Sequence, residues 1–169
     1  MTKIDARIGG MVAAALCLIA PLTASADEAV SESDRFFLDE AASACRSGDF
    51  PAFLWPFANS KMVRERYGAP AASDFPIVMI DYSYVTSASE KLFEAKGDPR
   101  QLVTVQIDFS TPSVGAERVD WVPGRFEPGE GDGPGTLIEK IGPGGSLHFT
   151  KTADCWQLTK DIRNLPSAR

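Results

Sequence analysis

The stretch Ser31 to Phe57 reads S-E-S-D-R-F-F-L-D-E-A-A-S-A-C-R-S-G-D-F-P-A-F-L-W-P-F. Ser31 followed three residues later by Asp34 is a helix-capping pattern, with acids in the first turn. Leu38, Ala41, Ala42 and Cys45 recur at i, i+3, i+4 and i+7, which is one face of a helix. Gly48 can close that helix in a left-handed conformation. Asp49 is a good N-cap for a second helix, and Pro51 is tolerated in its first turn. Phe50, Phe53, Leu54 and Phe57 repeat the helical spacing. Pro56 lacks an N–H and is expected to kink or end the piece. Aromatic residues at this spacing, Trp55 among them, read as core rather than as a ligand cage.

Downstream the period changes. Asn59-Ser60 can recap the chain for a short third helix through Met62, Val63 and Tyr67, closed by Gly68. Pro70 to Pro76 reads as a linker. Ile77 to Val85 is dense in β-formers and reads as one strand. Ser87 to Lys96 is open between a helical turn and a strand end. Leu102 to Ser110 alternates, with Val103, Val105, Ile107 and Phe109 on one face. Arg118 to Val122, Thr136 to Ile141, Ser146 to Lys151 and Cys155 to Ile162 complete the strands. Glu127 to Gly135, E-P-G-E-G-D-G-P-G, cannot pack a core and reads as a loop between strands. Helices followed by a run of strands argue for an α+β domain, with the helices packed on a curved antiparallel sheet of four to six strands. Val103, Val105, Ile107 and Phe109 are expected to face Phe53, Leu54 and Phe57.

Upstream, Lys3 and Arg7 precede an uncharged apolar run, Ile8 to Leu22, and Ala24-Ser25-Ala26 supplies the small residues of a cleavage site. Residues 1–26 therefore read as a signal peptide and 27–169 as a single domain in the periplasm or outside the cell. The apolar run is short for a membrane anchor. Cys17 lies mid-run after Leu16 and reads as a leader residue rather than a lipidation site. The whole chain has 17 basic and 23 acidic residues, and losing Lys3, Arg7 and Asp5 with the leader brings the net charge from −6 to −7. With no basic cluster, a nucleic-acid partner and an anionic membrane surface are disfavoured.

Cys45 and Cys155 are the two cysteines left after cleavage, and an oxidising compartment predicts a disulfide between them. Chain-entropy arguments value such a closure at roughly 4–5 kcal/mol. Its apolar flanks, Ala41 and Ala42 on one side and Trp156 on the other, predict a buried bridge. No CxxC or His pair points to a metal, and no cofactor is expected.

Candidate chemistry is sparse. His148, the sole histidine, falls between Leu147 and Phe149 on a strand and so faces away from them. No GxSxG motif supplies a nucleophile for it. Asp81, Tyr82, Tyr84 and Asp108 are the most enzyme-like set, since a buried carboxyl can serve as a base and a Tyr hydroxyl can stabilise an oxyanion. Read on one strand, Asp81 points away from the tyrosines. Glu127, Glu130 and Asp132 could offer oxygens to calcium but match no EF-hand spacing.

The element order, with a closing strand C-W-Q-L (Cys155 to Leu158), resembles the NTF2-like or cystatin-like superfamily. The opening C-R-S-G-D-F-P-A-F-L-W-P-F (Cys45 to Phe57) resembles that of uncharacterised secreted proteobacterial proteins. The resemblance implies a cone-shaped fold with room for a pocket between helices and sheet. It implies no activity, because such folds host enzymes and binding modules alike. The sequence thus favours an exported, non-catalytic binding module for a protein or small apolar ligand. An isomerase or hydrolase with a carboxylate base stands as one alternative. An inhibitor or immunity-type protein for a basic partner is the other, motivated by the acidic surface.

Overall fold

Helix α1 spans Glu32–Ser47, and the side chain of Ser31 accepts from the Asp34 N–H at its start. Gly48, at φ 73°, ends it in the left-handed region. Two residues, Gly48 and Asp49, separate it from α2, Phe50–Asn59, which is capped by Asp49 accepting from the Ala52 N–H. Pro56 lies inside α2, which runs three residues past it and closes with the Ser60 N–H donating to the Pro56 carbonyl. Arg64 of α3 (Lys61–Tyr67) donates to the carbonyls of Phe57 and Ala58 at 3.0 and 2.7 Å. Burial lowers the pKa of this guanidinium, partly offset by Glu65 and Glu90. These elements belong to a computed structural model that describes residues 30–68, 74–127 and 135–165. The leader, most of the Pro70–Pro76 linker and Glu130 and Asp132 of the acidic loop lie outside the described residues.

The expected single strand Ile77–Val85 is instead a hairpin, β1 Ile77–Ile80 and β2 Ser83–Thr86, with Ile80 opposite Ser83. The two residues between them, Asp81 and Tyr82, both have positive φ, 45° and 61°. That is the backbone of a tight primed turn, built here without glycine. Ser87–Lys96, left open by the sequence, forms α4, with Thr86 as N-cap and Gly97 at φ 67° as C-cap. A short 3-10 turn, Pro99–Gln101, leads into the main sheet.

That sheet contains β3 Val105–Ser113, β4 Ala116–Glu127, β5 Thr136–Lys140, β6 Gly144–Lys151 and β7 Trp156–Leu165. All pairings are antiparallel, in the order β3-β4-β6-β7. The long β4 is shared lengthwise: Ala116 to Trp121 pair with β6, and Gly124 to Glu127 pair with β5. The sheet stays open and the helices pack on one face of it, so the class is α+β with an antiparallel five-stranded sheet.

Register places Phe109 opposite Val119, Val119 opposite Leu147, and Ile107 opposite Trp121. Along this inner row Val119, Leu147, Phe149 and Leu158 are buried beneath Phe50, Phe53, Leu54 and Phe57 of α2. Phe57 meets Phe53, Phe75 and Phe149 with ring centroids 5.5, 5.2 and 5.3 Å apart. Trp156 packs on Phe50 and Phe53, each at 5.4 Å. Two of the expected inner residues behave differently. Val103 precedes β3, and Phe109 is 44% exposed because β3 is an edge strand, although its ring still meets Phe50. Trp121 lies over Gly145, where a Cβ would collide with the indole. Its buried Nε1 has no hydrogen-bond partner among the described residues.

The Cys45–Cys155 disulfide joins the last turn of α1 to the residue before β7, with the Cα atoms 5.0 Å apart. At the other end of β7, Arg163 bonds Asp161 and reaches Asp74, ahead of β1, through both its carboxylate and its main-chain carbonyl.

Candidate functional site

The structure separates the enzyme-like set instead of gathering it. Asp81 and Tyr82 form the tip of the β1–β2 hairpin, and Tyr82 is 98% exposed. Tyr84 is half-buried against the core from β2, and burial pushes its phenol pKa upward. Asp108 is exposed on the sheet face away from the helices. It sits directly across from Asp120 and accepts from the Gln106 amide. Asp120 is itself paired with Arg118 at 2.8 Å. The parity reading that set Asp81 against the tyrosines assumed one continuous strand, and the turn at Asp81-Tyr82 removes its basis.

His148 also faces outward, as alternation with Leu147 and Phe149 predicts. Its Nε2 lies 3.0 Å from Ser146 Oγ, a pairing that the i, i+2 spacing on a strand permits and the sequence reading did not single out. Ser146 is only 1% exposed, and no carboxylate bonds the imidazole among the described residues. A nucleophile needs access and a base needs an orienting partner, so this pair lacks the parts of a catalytic triad. It serves to satisfy a buried hydroxyl.

Concavities lie at the surface. A groove of about 520 Å³ opens beside the disulfide, where the ends of α1 and α3 meet the β6–β7 turn and the start of β7. Cys45, Arg46, Arg66, Tyr67, Asp154 and Gln157 contribute to its lining. Trp156 closes it underneath, itself 2% exposed and covered by the Lys151 ammonium 5.0 Å from its ring. Cys155 is buried but Cys45 is half-exposed to this groove, so the bridge is less enclosed than its apolar flanks predict. A second recess of about 410 Å³ lies between the start of α2 and β3, lined by Asp49, Phe50, Pro51, Phe109, Thr111 and Glu117. Neither contains Asp81 or Asp108.

The groove residues come from three separate segments, so spacing could not reveal them. Arg46 and Arg66 stand in the last turns of α1 and α3. The Arg66 guanidinium rests 5.5 Å over the Tyr67 ring. Neither arginine makes an ion pair or a side-chain hydrogen bond among the described residues.

No family model and no curated protein match the sequence. Among solved structures the chain is similar to an NTF-2 like protein of unknown function from Shewanella oneidensis MR-1. The likeness has 15% identity and a TM-score of 0.25, over 78% of this chain and 96% of that one. The fold class rests on the element order and strand pairing described above: helices on one face of an open antiparallel sheet, tied to it by a disulfide. No helix among the described residues is long and apolar enough to cross a membrane.

Proposed function

We propose that the protein is exported, cleaved before Asp27, and acts in the periplasm or outside the cell as a binding module without catalysis of its own. The observation that carries this reading is how the space between helices and sheet is filled. Phe50, Phe53, Phe57, Phe75, Phe149 and Trp156 pack together there, each at most 4% exposed. An enzyme of the pocket type needs an apolar cavity with converging polar groups. Here that volume is side chain, and the carboxylates that could act as bases are held at a hairpin tip and on the outer sheet face. The disulfide supports an oxidising compartment, where such bridges persist.

On this reading ligands are met at the surface, and the groove beside the disulfide is the site. The test is capture from envelope extract with the tagged protein, at low and high salt, alongside an R46Q/R66Q variant. A partner or ligand held by the native protein and lost by the variant supports the reading. Turnover of an envelope metabolite that survives the variant and disappears with D81N or D108N would replace it with the enzyme alternative.

A further inference from the structure

We propose that the groove beside the disulfide recognises a ligand bearing two carboxylates, one engaged by Arg46 and the other by Arg66. The proposal rests on the binding-module reading above and names what the site takes.

The charge inventory and the groove lining together single out these two side chains. Acids outnumber bases in this chain, 23 to 17, so a guanidinium ordinarily finds a carboxylate. Arg100 pairs with Asp98, Arg118 with Asp120, Arg125 with Glu139, and Arg163 with Asp161 and Asp74. Arg35, Arg46 and Arg66 belong to none of these pairs among the described residues, and of these three Arg46 and Arg66 line the same groove of about 520 Å³. The volume is that of a small-ligand site.

A simpler role exists for each: a cation in the last turn complements the helix dipole. That role engages the charge and leaves the five N–H donors of each guanidinium unspent. The rest of the lining adds donors, namely the Tyr67 hydroxyl and the Gln157 amide. Thr152 Oγ is already committed, donating to the Cys155 carbonyl and accepting from the Cys155 N–H. Asp154 is the one carboxylate in the lining, and it lies beyond ion-pair distance of both arginines among the described residues. Donors therefore outnumber acceptors in the lining; both arginines are exposed and hydrated in the free protein, and an oxyanion is the ligand group that can displace that water.

The kind of oxyanion follows from what else faces the groove. Phosphate sites draw on backbone N–H groups at helix N-termini. Here α1 and α3 present their C-terminal ends, with carbonyls and the negative end of the dipole. Together with Asp154 they penalise a compact dianion at one point. Two planar carboxylates on a spacer spread the charge and match two guanidinium forks bidentately. The net charge of the chain does not forbid this, because at physiological salt charges beyond roughly 8 Å are screened.

The test is a titration of purified, oxidised protein followed by amide and arginine-Nε NMR. The probes are glutarate, the blocked dipeptide acetyl-Glu-Glu-amide, and sulfate. Saturable shifts at Arg46, Arg66 and Gln157 are expected from glutarate, the dipeptide or both, with Kd on the order of 1 mM or tighter. Whichever probe binds tighter identifies the source as a small dicarboxylic acid or an acidic peptide segment. R46Q and R66Q should each weaken binding roughly tenfold. D154N should tighten it about two- to threefold by removing a like charge. Thermal melts check that the variants remain folded. The proposal is overturned by no saturation up to about 20 mM, by sulfate binding as tightly as the dicarboxylates, or by shifts that survive R46Q/R66Q. The titration requires neither export nor a native partner, so it can fail while the binding-module reading stands, and the reverse also holds.

Discussion

Truncating Phe57 to alanine removes a ring that is 0% exposed and touches three other rings from three different segments. Phe53 lies one turn away on the same helix, Phe75 precedes β1, and Phe149 comes from the centre of the sheet. A cavity opened there has rigid aromatic walls and little freedom to collapse. The lost transfer energy and the unrelaxed cavity together place the cost at about 4 kcal/mol, within the range for buried aromatics. In a domain of this size that should lower the melting temperature by roughly 10 °C. Urea unfolding followed by circular dichroism, with the disulfide intact, gives the free energy directly. The midpoint should fall at an unchanged slope. Phe36→Ala is the internal comparison. Phe36 also meets two rings, Phe37 and Trp55, but is 51% exposed, and its loss should cost about 1 kcal/mol or less. Equal costs for the two, or under about 1.5 kcal/mol for Phe57, would refute the packing of α2 on the sheet.

Three further outcomes are expected. Replacing Asp81-Tyr82 by Asn-Gly should raise stability by roughly 1 kcal/mol, because both positions have positive φ and Tyr82 in particular disfavours it. Chemical denaturation reads that change, and a loss of stability would mean the turn has another geometry. The C45A/C155A double variant should lose roughly 4–5 kcal/mol through the longer reach of its unfolded chain, and an unchanged denaturation midpoint would show that α1 packs without the bridge. The raised pKa of Tyr84 means the folded state holds its phenolic proton more tightly than the unfolded state does. The stability due to that proton is present below a phenol's ordinary pKa of about 10 and is lost as pH rises through it toward the folded value. Y84F should flatten the alkaline decline, and an identical decline in native and variant proteins would contradict the burial of this hydroxyl.

The helical half was legible because its signals are local. Ser31, Gly48 and Asp49 act as the caps their chemistry predicts, and the Phe spacing of α2 gives the buried face. The disulfide was legible because reading residues 1–26 as a leader leaves only one pairing of the remaining cysteines. The hairpin at Asp81-Tyr82 was hidden because Tyr82 stands where such a turn usually carries Gly, and Asp81 alone is too weak a marker. Helix α4 was hidden because Leu92 and Phe93 are its only large apolar residues, too few to set a period. Phe109 shows the limit of alternation: the pattern gives the face a residue shares, not how far the helices extend over an edge strand. The groove was illegible for a different reason. Arg46, Arg66 and Gln157 are brought together by the Cys45–Cys155 link and the return of β7, and no window of sequence contains them all.

The central claim, an exported and oxidised binding module, meets its most direct test in the intact mass of the protein recovered from the periplasm or medium, measured after denaturation with a thiol-alkylating reagent and no reductant. The account predicts a chain beginning at Asp27, lighter than its dithiol form by the two hydrogens of the bridge and carrying no alkyl group. A chain that retains Met1 to Ala26, or one alkylated at both Cys45 and Cys155, would contradict it.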